Sequence, residues 1–330
     1  MSLCDLYLKM AKHQIKGLLL VCLSVFAHIS IAQSGSDKSG FLKKGDLLLT
    51  AHGEIDFISD TQQPMALEEV RLHPNHNIKA TSLLLADILK QKPLAIYMLG
   101  DVVAVGSSNH KWSAIDRFID TCRKNNITVH ALLGNHDIMW SRRRGEINFQ
   151  HRFPDNVDTG YVSITDSIAV VLLNSNFKKL SAIEIDKQER WYISMLNSLN
   201  SNVGVKTIIV SCHHAPYSNS RIVGSSSPVQ HYFVPAFIRT AKCSLFITGH
   251  AHAFEHFKFS GKNFLVIGGG GGLHQPLDTS ARRIPDIAPD YKPMFHYLSI
   301  QRQGDKLLLT SHFLKPDFSG IENGYSFEIP

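Results

Sequence analysis

Four short islands of polar residues carry the chemistry of this chain: Gly100-Asp101, Gly134-Asn135-His136-Asp137, His213-His214 and Gly249-His250-Ala251-His252. Carboxylate, amide oxygen and imidazole are the donors that hard and borderline divalent cations select. Each island ends an apolar run, at 94–99, 129–133, 208–211 and 245–248. Short apolar runs with a polar break read as buried strands. A fifth island, 55–62, brings Asp60 and Gln62. One such island would mean little, but several at successive strand ends predict a single metal site assembled at the edge of a sheet.

The order of these residues resembles that of the calcineurin-like metallophosphoesterases, over the span from Asp60 to His252. That family's pattern runs Asp-x-His, Gly-Asp, Gly-Asn-His-Asp/Glu, His, Gly-His-x-His. The last four motifs match, and in the first Gln62 stands where a histidine is usual. The Gly-Asn-His-Asp and Gly-His-x-His pair makes the resemblance specific; Gly-Asp alone would not. The fold it implies is α/β, a four-layer α/β/β/α sandwich of two mixed sheets flanked by helices.

The resemblance also implies a ligand set for two divalent metal ions, with Mn, Fe or Zn expected. The first ion would take Asp60, Asp101 and His252, with Gln62 as a weaker fourth ligand. The second would take Asp101, Asn135, His213 and His250, so that Asp101 bridges. His213 is preferred to His214 because it aligns with the first histidine of the family's His-x-Ala/Pro-Pro-Tyr pattern. His250 and His252 would share one face of a continuous strand, so serving different ions requires them to lie in the turn that ends it. His136 is expected to face substrate, protonating the leaving alkoxide or stabilising charge on the phosphoryl group. Asp137 is the candidate to orient it.

Phosphate ester hydrolysis has a high barrier, and two metal ions about 4 Å apart lower it by acidifying water, neutralising phosphoryl oxygens and aligning the attack. The expected function is therefore a metal-dependent phosphoesterase in which a metal-activated water attacks at a dinuclear site. Its partner is a small phosphorylated substrate. One alternative is a phosphodiesterase acting on nucleotides or lipid head groups. Another is a non-catalytic metal-binding relative, which Gln62 favours and His136 opposes. In the family's purple acid phosphatase branch a tyrosine three residues after the Gly-Asp aspartate binds ferric iron; Ala104 stands there, so a coloured centre is not expected.

The elements that must position these residues are legible in the hydrophobic pattern. Apolar stripes predict helices over 77–90, 111–124 and 185–199, the last with Asp186 as N-cap. Apolar runs predict strands at 94–99, 127–133, 168–174, 206–211, 244–248 and 263–267. Strands alternating with helices imply a sheet covered on both faces. Alternation at 297–301 and 306–310 predicts an antiparallel hairpin around Gly304-Asp305. The glycine run 268–272 lacks the Lys-Ser/Thr of a phosphate-binding loop, and reads instead as a tight turn beside the metal site. Segments 140–154 and 219–235 carry no interpretable pattern.

The 330 residues, 44% hydrophobic, suffice for one large α/β domain. A net charge of +6 permits anionic partners, but the basic blocks are short and no nucleic-acid-binding signature accompanies them. Nucleic acid is not an expected partner. Lys9, Lys12 and Lys16 precede an apolar stretch at 17–27, and Ser30-Ile31-Ala32 supplies small residues for cleavage before Gln33. The reading is a signal peptide at 1–32, a polar linker at 33–45 and a metallophosphoesterase domain at 46–330. The apolar stretch is too short to span a membrane. A lipidated Cys22 fits less well after Val21, so a periplasmic or secreted protein is expected. Cys122, Cys212 and Cys243 remain after cleavage and are expected as buried thiols. Without a Cys-x-x-Cys pair they do not suggest a zinc–thiolate site.

Overall fold

The computed structural model describes residues 53–70, 72–157 and 159–330. The expected signal peptide and linker, with Cys4 and Cys22, lie outside the described residues. Twelve strands among the described residues form two six-stranded mixed sheets. The first has the order β12-β11-β10-β1-β2-β3, where β1 is Glu54–Ile58, β2 Ala95–Met98, β3 Thr128–Ala131, β10 His296–Gln303, β11 Lys306–Leu314 and β12 Ile321–Ile329. The second has the order β4-β5-β6-β7-β9-β8, where β4 is Tyr161–Thr165, β5 Ile168–Leu172, β6 Thr207–Ser211, β7 Cys243–Thr248, β8 Phe254–Phe259 and β9 Lys262–Ile267. β1, β2 and β3 are parallel, as are β5, β6, β7 and β9.

Period-two alternation sorts the strand side chains into layers. Phe57, Tyr97, Leu172, Ile209, Ile247 and Leu298 meet in a dry layer between the sheets. Ile58, Ile96 and Met98, from the opposite face of the first sheet, pack with Leu84 and Ile88 of helix Asn77–Gln91 and with Ile115 and Phe118 of helix Ser113–Lys124. Ile208, Val210 and Phe246 do the same for the second sheet, against Tyr192 and Leu196 of helix Ala182–Ser201 and Phe233 and Phe237. Full burial of each such side chain contributes roughly 1.5–3 kcal/mol, so three apolar layers hold four layers of structure together. This is the α/β/β/α sandwich that the family resemblance implies.

Several boundaries differ from the sequence reading for identifiable reasons. The helix expected from 185 begins at Ala182, capped by Ser181 in a Ser-x-x-Glu box with Glu184; Asp186 instead pairs with Arg190 one turn on, at 2.7 Å. The helix expected from 111 is preceded by a tight turn, Asn109–Trp112, because Trp112 drops into the core and donates to the Gly106 carbonyl at 2.9 Å. Segment 140–154 contains the helix Arg142–Arg152, which buries only Gly145 and Phe149, too narrow a stripe to read. Segment 219–235 holds Ser227–Tyr232 and the start of Val234–Arg239. β4 joins β5 through Asp166-Ser167, both with positive φ, as two-residue hairpin turns require.

The predicted C-terminal hairpin is present, with Gln303 opposite Lys306 and Gly304 at φ 64°. Cys122, Cys212 and Cys243 are free and buried, and burial pushes the Cys122 and Cys243 thiols up to about 12. No helix among the described residues is long and apolar enough to cross a membrane.

Candidate metal centre

The islands converge beyond the carboxyl ends of the parallel strands, where open α/β sheets place their ligand sites. Asp60 follows β1, Asp101 follows β2, Asn135 follows β3, His213 follows β6, and His250 and His252 follow β7. Three of these residues leave ordinary backbone space: Asp60, Asp101 and His250 have φ of 60°, 48° and 66°. Non-glycine residues adopt this conformation rarely, and such strain gathers at functional sites. β7 stops at Thr248 and β8 starts at Phe254, so His250 and His252 do lie in a turn.

Two groups of donor atoms result. Asp101 Oδ2 lies 3.2 Å from His213 Nε2, and the ligand atoms of Asp101, His213 and His250 all fall within 4.8 Å of one another. Asp60 Oδ1 lies 3.3 Å from His252 Nε2. The Gln62 amide, oriented by its hydrogen-bond network, donates to the backbone carbonyls of Asp60 and Asp101 and turns its oxygen to His252 Nε2 at 3.3 Å. Gln62 is thus inside the cluster, although an amide replaces the usual imidazole. His213 rather than His214 joins the group: His214 Nδ1 is engaged with Ser175 Oγ at 2.8 Å.

The donor set fits divalent cations. Asn135 Oδ1 is buried with no hydrogen-bond partner, a costly state for a polar atom unless something fills it, while Asp60 Oδ1 and His213 Nε2 make no hydrogen bond and face only the other proposed ligands His252 and Asp101. Backbone carbonyls fix the far side of both imidazoles, Leu99 on His213 Nδ1 at 2.9 Å and Leu273 on His252 Nδ1 at 2.7 Å. Both Nε2 atoms are thereby left as the donors toward the cluster, the outer-shell arrangement that metal-binding histidines use. The glycine run closes over this edge as predicted. A Cβ at Gly272 would sit 2.4 Å from His252 Cε1.

Crowding of like and unlike charges shapes the protonation of the metal-free cluster. Burial opposes the Asp101 carboxylate, but His213, His136 and His250 hold it well below the usual carboxylate range. Burial alone would lower His213, yet Asp101 raises it to about 9. His250 goes the other way, driven down by burial and by His214 and His213. A cation needs the His213 lone pair, so between neutrality and pH 9 its binding must release that proton. Metal affinity is expected to rise with pH up to about 9, by as much as about tenfold per unit, with about one proton released. Calorimetric titration of manganese in buffers of different ionisation enthalpy checks this; pH-independent affinity without proton release would contradict it.

His136 faces the cluster without joining the metal group. Its backbone N–H donates to Asp101 Oδ1 at 2.7 Å, and its ring Nδ1 meets the Ala104 carbonyl at 3.1 Å. Ring Nε2 lies 3.9 Å from Asp101 Oδ2 and 3.5 Å from Glu68 Oε1. Both ring nitrogens therefore face acceptors. Asp137 does not orient this ring, contrary to the sequence expectation. Its carboxylate accepts from the backbone N–H groups of Gly134 at 2.9 Å, Val102 at 3.0 Å and Val103 at 3.3 Å, stapling the loops after β2 and β3. The staple is tight: a Cβ at Gly106 would lie 1.9 Å from the Asp137 carbonyl oxygen.

Sequence reasoning missed Glu68 and the carbonyls of Leu99, Ala104 and Leu273. A backbone carbonyl leaves no mark in residue identity, and Glu68 sits outside every motif. Arg142, in the helix Arg142–Arg152, is committed to Glu146 and Glu184.

The profile of the calcineurin-like phosphoesterase family matches residues 53–254. No curated protein sequence matches the chain. Among solved structures, the fold is similar to that of purple acid phosphatase PPD1 from yellow lupin (Lupinus luteus) seeds, at 14% identity and a TM-score of 0.62 over 84% of this chain and 53% of that one. The chain thus spans about half the length of the lupin protein. GAP50, described as the anchor in the inner membrane complex of Plasmodium, is similar at 14% identity and a TM-score of 0.58, over 84% and 89% of the two chains. A dimetal phosphatase from Danio rerio gives 14% identity and a TM-score of 0.53, over 84% and 98%. At such identities the likeness is one of fold. The family profile covers well over half of the chain and spans every island of the cluster, and the chain belongs to the calcineurin-like phosphoesterase family.

Proposed function

We propose that this protein is an exported phosphoesterase that hydrolyses phosphate esters at a dinuclear metal site. The observation that carries the reading is a buried cluster in which Asp101 faces His213 at 3.2 Å, Asp60 faces His252 at 3.3 Å and the Asn135 Oδ1 has no hydrogen-bond partner, beside a histidine whose Nε2 faces the same space. Asp60, Asp101, His252 and Gln62 would hold one ion, and Asp101, Asn135, His213 and His250 the other. Bound there, divalent ions supply Lewis acidity toward phosphoryl oxygens and toward water.

The chain's own residues supply the rest. His136 delivers a proton from Nε2 to the leaving oxygen, while the Ala104 carbonyl keeps its ring from turning. Asp101 couples the catalytic loop to the metal cluster, since one oxygen accepts from the His136 backbone and the other meets His213. The buried cluster excludes bulk water, which strengthens every charge interaction within it.

A second reading is a metal-binding member without catalysis. Gln62 favours it, as does the fold likeness to an anchor protein, GAP50. Hydrolysis of p-nitrophenyl phosphate and bis-p-nitrophenyl phosphate with added manganese separates the cases. Turnover of the first indicates a monoesterase and of the second a diesterase; turnover of neither favours the non-catalytic reading. The weaker amide at Gln62 should make activity fall on dialysis against chelator and return with manganese. Export is tested by N-terminal sequencing of the mature protein, expected to begin at Gln33; an intact N-terminus would refute it.

A further inference from the structure

Glu68 is held against His136 by a segment that belongs to none of the metal-binding motifs. It lies on the single helical turn Ala66–Glu69, and its Oε2 accepts the Met65 backbone N–H at 2.8 Å. That bond aims Oε1 at His136 Nε2, 3.5 Å away. The other carboxylate near this nitrogen, Asp101 Oδ2 at 3.9 Å, is 1% exposed and belongs to the metal cluster. Glu68 is 27% exposed, the more solvent-accessible of the two carboxylates beside this nitrogen. With Nδ1 engaged by Ala104, Nε2 is the nitrogen that serves substrate. A leaving oxygen that reaches Nε2 therefore comes within a few ångströms of the Glu68 carboxylate.

We propose that Glu68 determines leaving-group specificity. Its carboxylate disfavours esters whose leaving group carries a negative charge near the ester oxygen, and favours leaving groups that bring a hydroxyl donor or a cation. The inference rests on the phosphoesterase reading above. In the reaction, water forms the new P–O bond and releases a proton to solvent, and the bond to the leaving oxygen breaks with its electron pair staying on that oxygen. His136 Nε2 supplies the proton. Glu68 exchanges no atoms; it loses Nε2 to the leaving oxygen and meets the atoms next to it. A like or unlike charge a few ångströms away in a partly screened site changes selectivity by about tenfold or more.

The test compares kcat/KM of the wild type, Glu68→Gln and Glu68→Asp on three probes: glycerol 2-phosphate, phosphoethanolamine and 2-phosphoglycerate, each as monoester and as methyl diester. The wild type should prefer the first two. Glu68→Gln should raise 2-phosphoglycerate relative to phosphoethanolamine by about tenfold, whereas Glu68→Asp keeps the wild-type order. An equal change on all three probes, or an unchanged ratio of 2-phosphoglycerate to phosphoethanolamine in Glu68→Gln, overturns the proposal and leaves the phosphoesterase reading standing. Inactivity of the wild type on these probes and on p-nitrophenyl esters overturns that reading, and this proposal with it.

Discussion

Replacing His136 with alanine should lower turnover by about 10²–10⁴-fold, the range expected for loss of a positioned general acid, while the metal content stays at the wild-type level. The second half of that expectation comes from the geometry. His136 Nδ1 faces Ala104 and its Nε2 faces Glu68 and the edge of the cluster, so neither nitrogen is a member of the Asp101, His213 and His250 group. Its backbone N–H to Asp101 Oδ1 survives the substitution, leaving the loop after β3 in place. The loss should fall mainly on kcat, because a proton given to the leaving oxygen is an interaction made in the transition state. It should be smallest for esters with acidic leaving groups, which need that proton least. Elemental analysis beside steady-state kinetics decides the matter: coincident loss of metal and activity would reassign His136 as a ligand.

Replacing Asp101 with asparagine should have the larger effect, removing metal from both positions and activity with it. Asp101 is the residue proposed to bridge the ions, buried in the group with His213 and His250 and with Oδ2 3.2 Å from His213 Nε2. Asparagine keeps the shape and one acceptor for the His136 N–H, so the fold should persist and melting of the metal-free protein should remain cooperative. The loss of affinity should exceed the about 10–100-fold that changes in outer-shell partners cause. His213, no longer facing a carboxylate, should titrate well below the value of about 9 that Asp101 imposes in the metal-free protein. Metal stoichiometry and histidine NMR titration read the two effects separately. Retention of two ions per chain by Asp101→Asn would sink the bridging assignment.

Much of this was legible in the linear order of residues. Gly-Asn-His-Asp and Gly-His-x-His report on a site because metal ligation demands particular side-chain types, and those types interrupt apolar strands conspicuously. The strand predicted at 94–99 and the helix at 77–90 were readable for a related reason: one side of each element is buried, and burial imprints a period of two or 3.6 on the chain. Helix Arg142–Arg152 was not readable, since contact through Gly145 and Phe149 leaves no stripe. β4 was missed because Asp166-Ser167 lacks the glycine that commonly flags a two-residue hairpin.

The sequence by itself therefore determined the donor types, their order and the layered fold that carries them. Tertiary structure alone decided which atoms face which. It set the Gln62 amide against His252, gave Asp137 to the backbone instead of His136, and brought Glu68 within 3.5 Å of the catalytic ring. The reason is physical. Identity and spacing record what a residue can do within its own element, whereas orientation depends on carbonyls and loops contributed from elsewhere in the chain. Leu99 holding His213 and Leu273 holding His252 are contacts of that kind, and backbone oxygens carry no signature in a sequence.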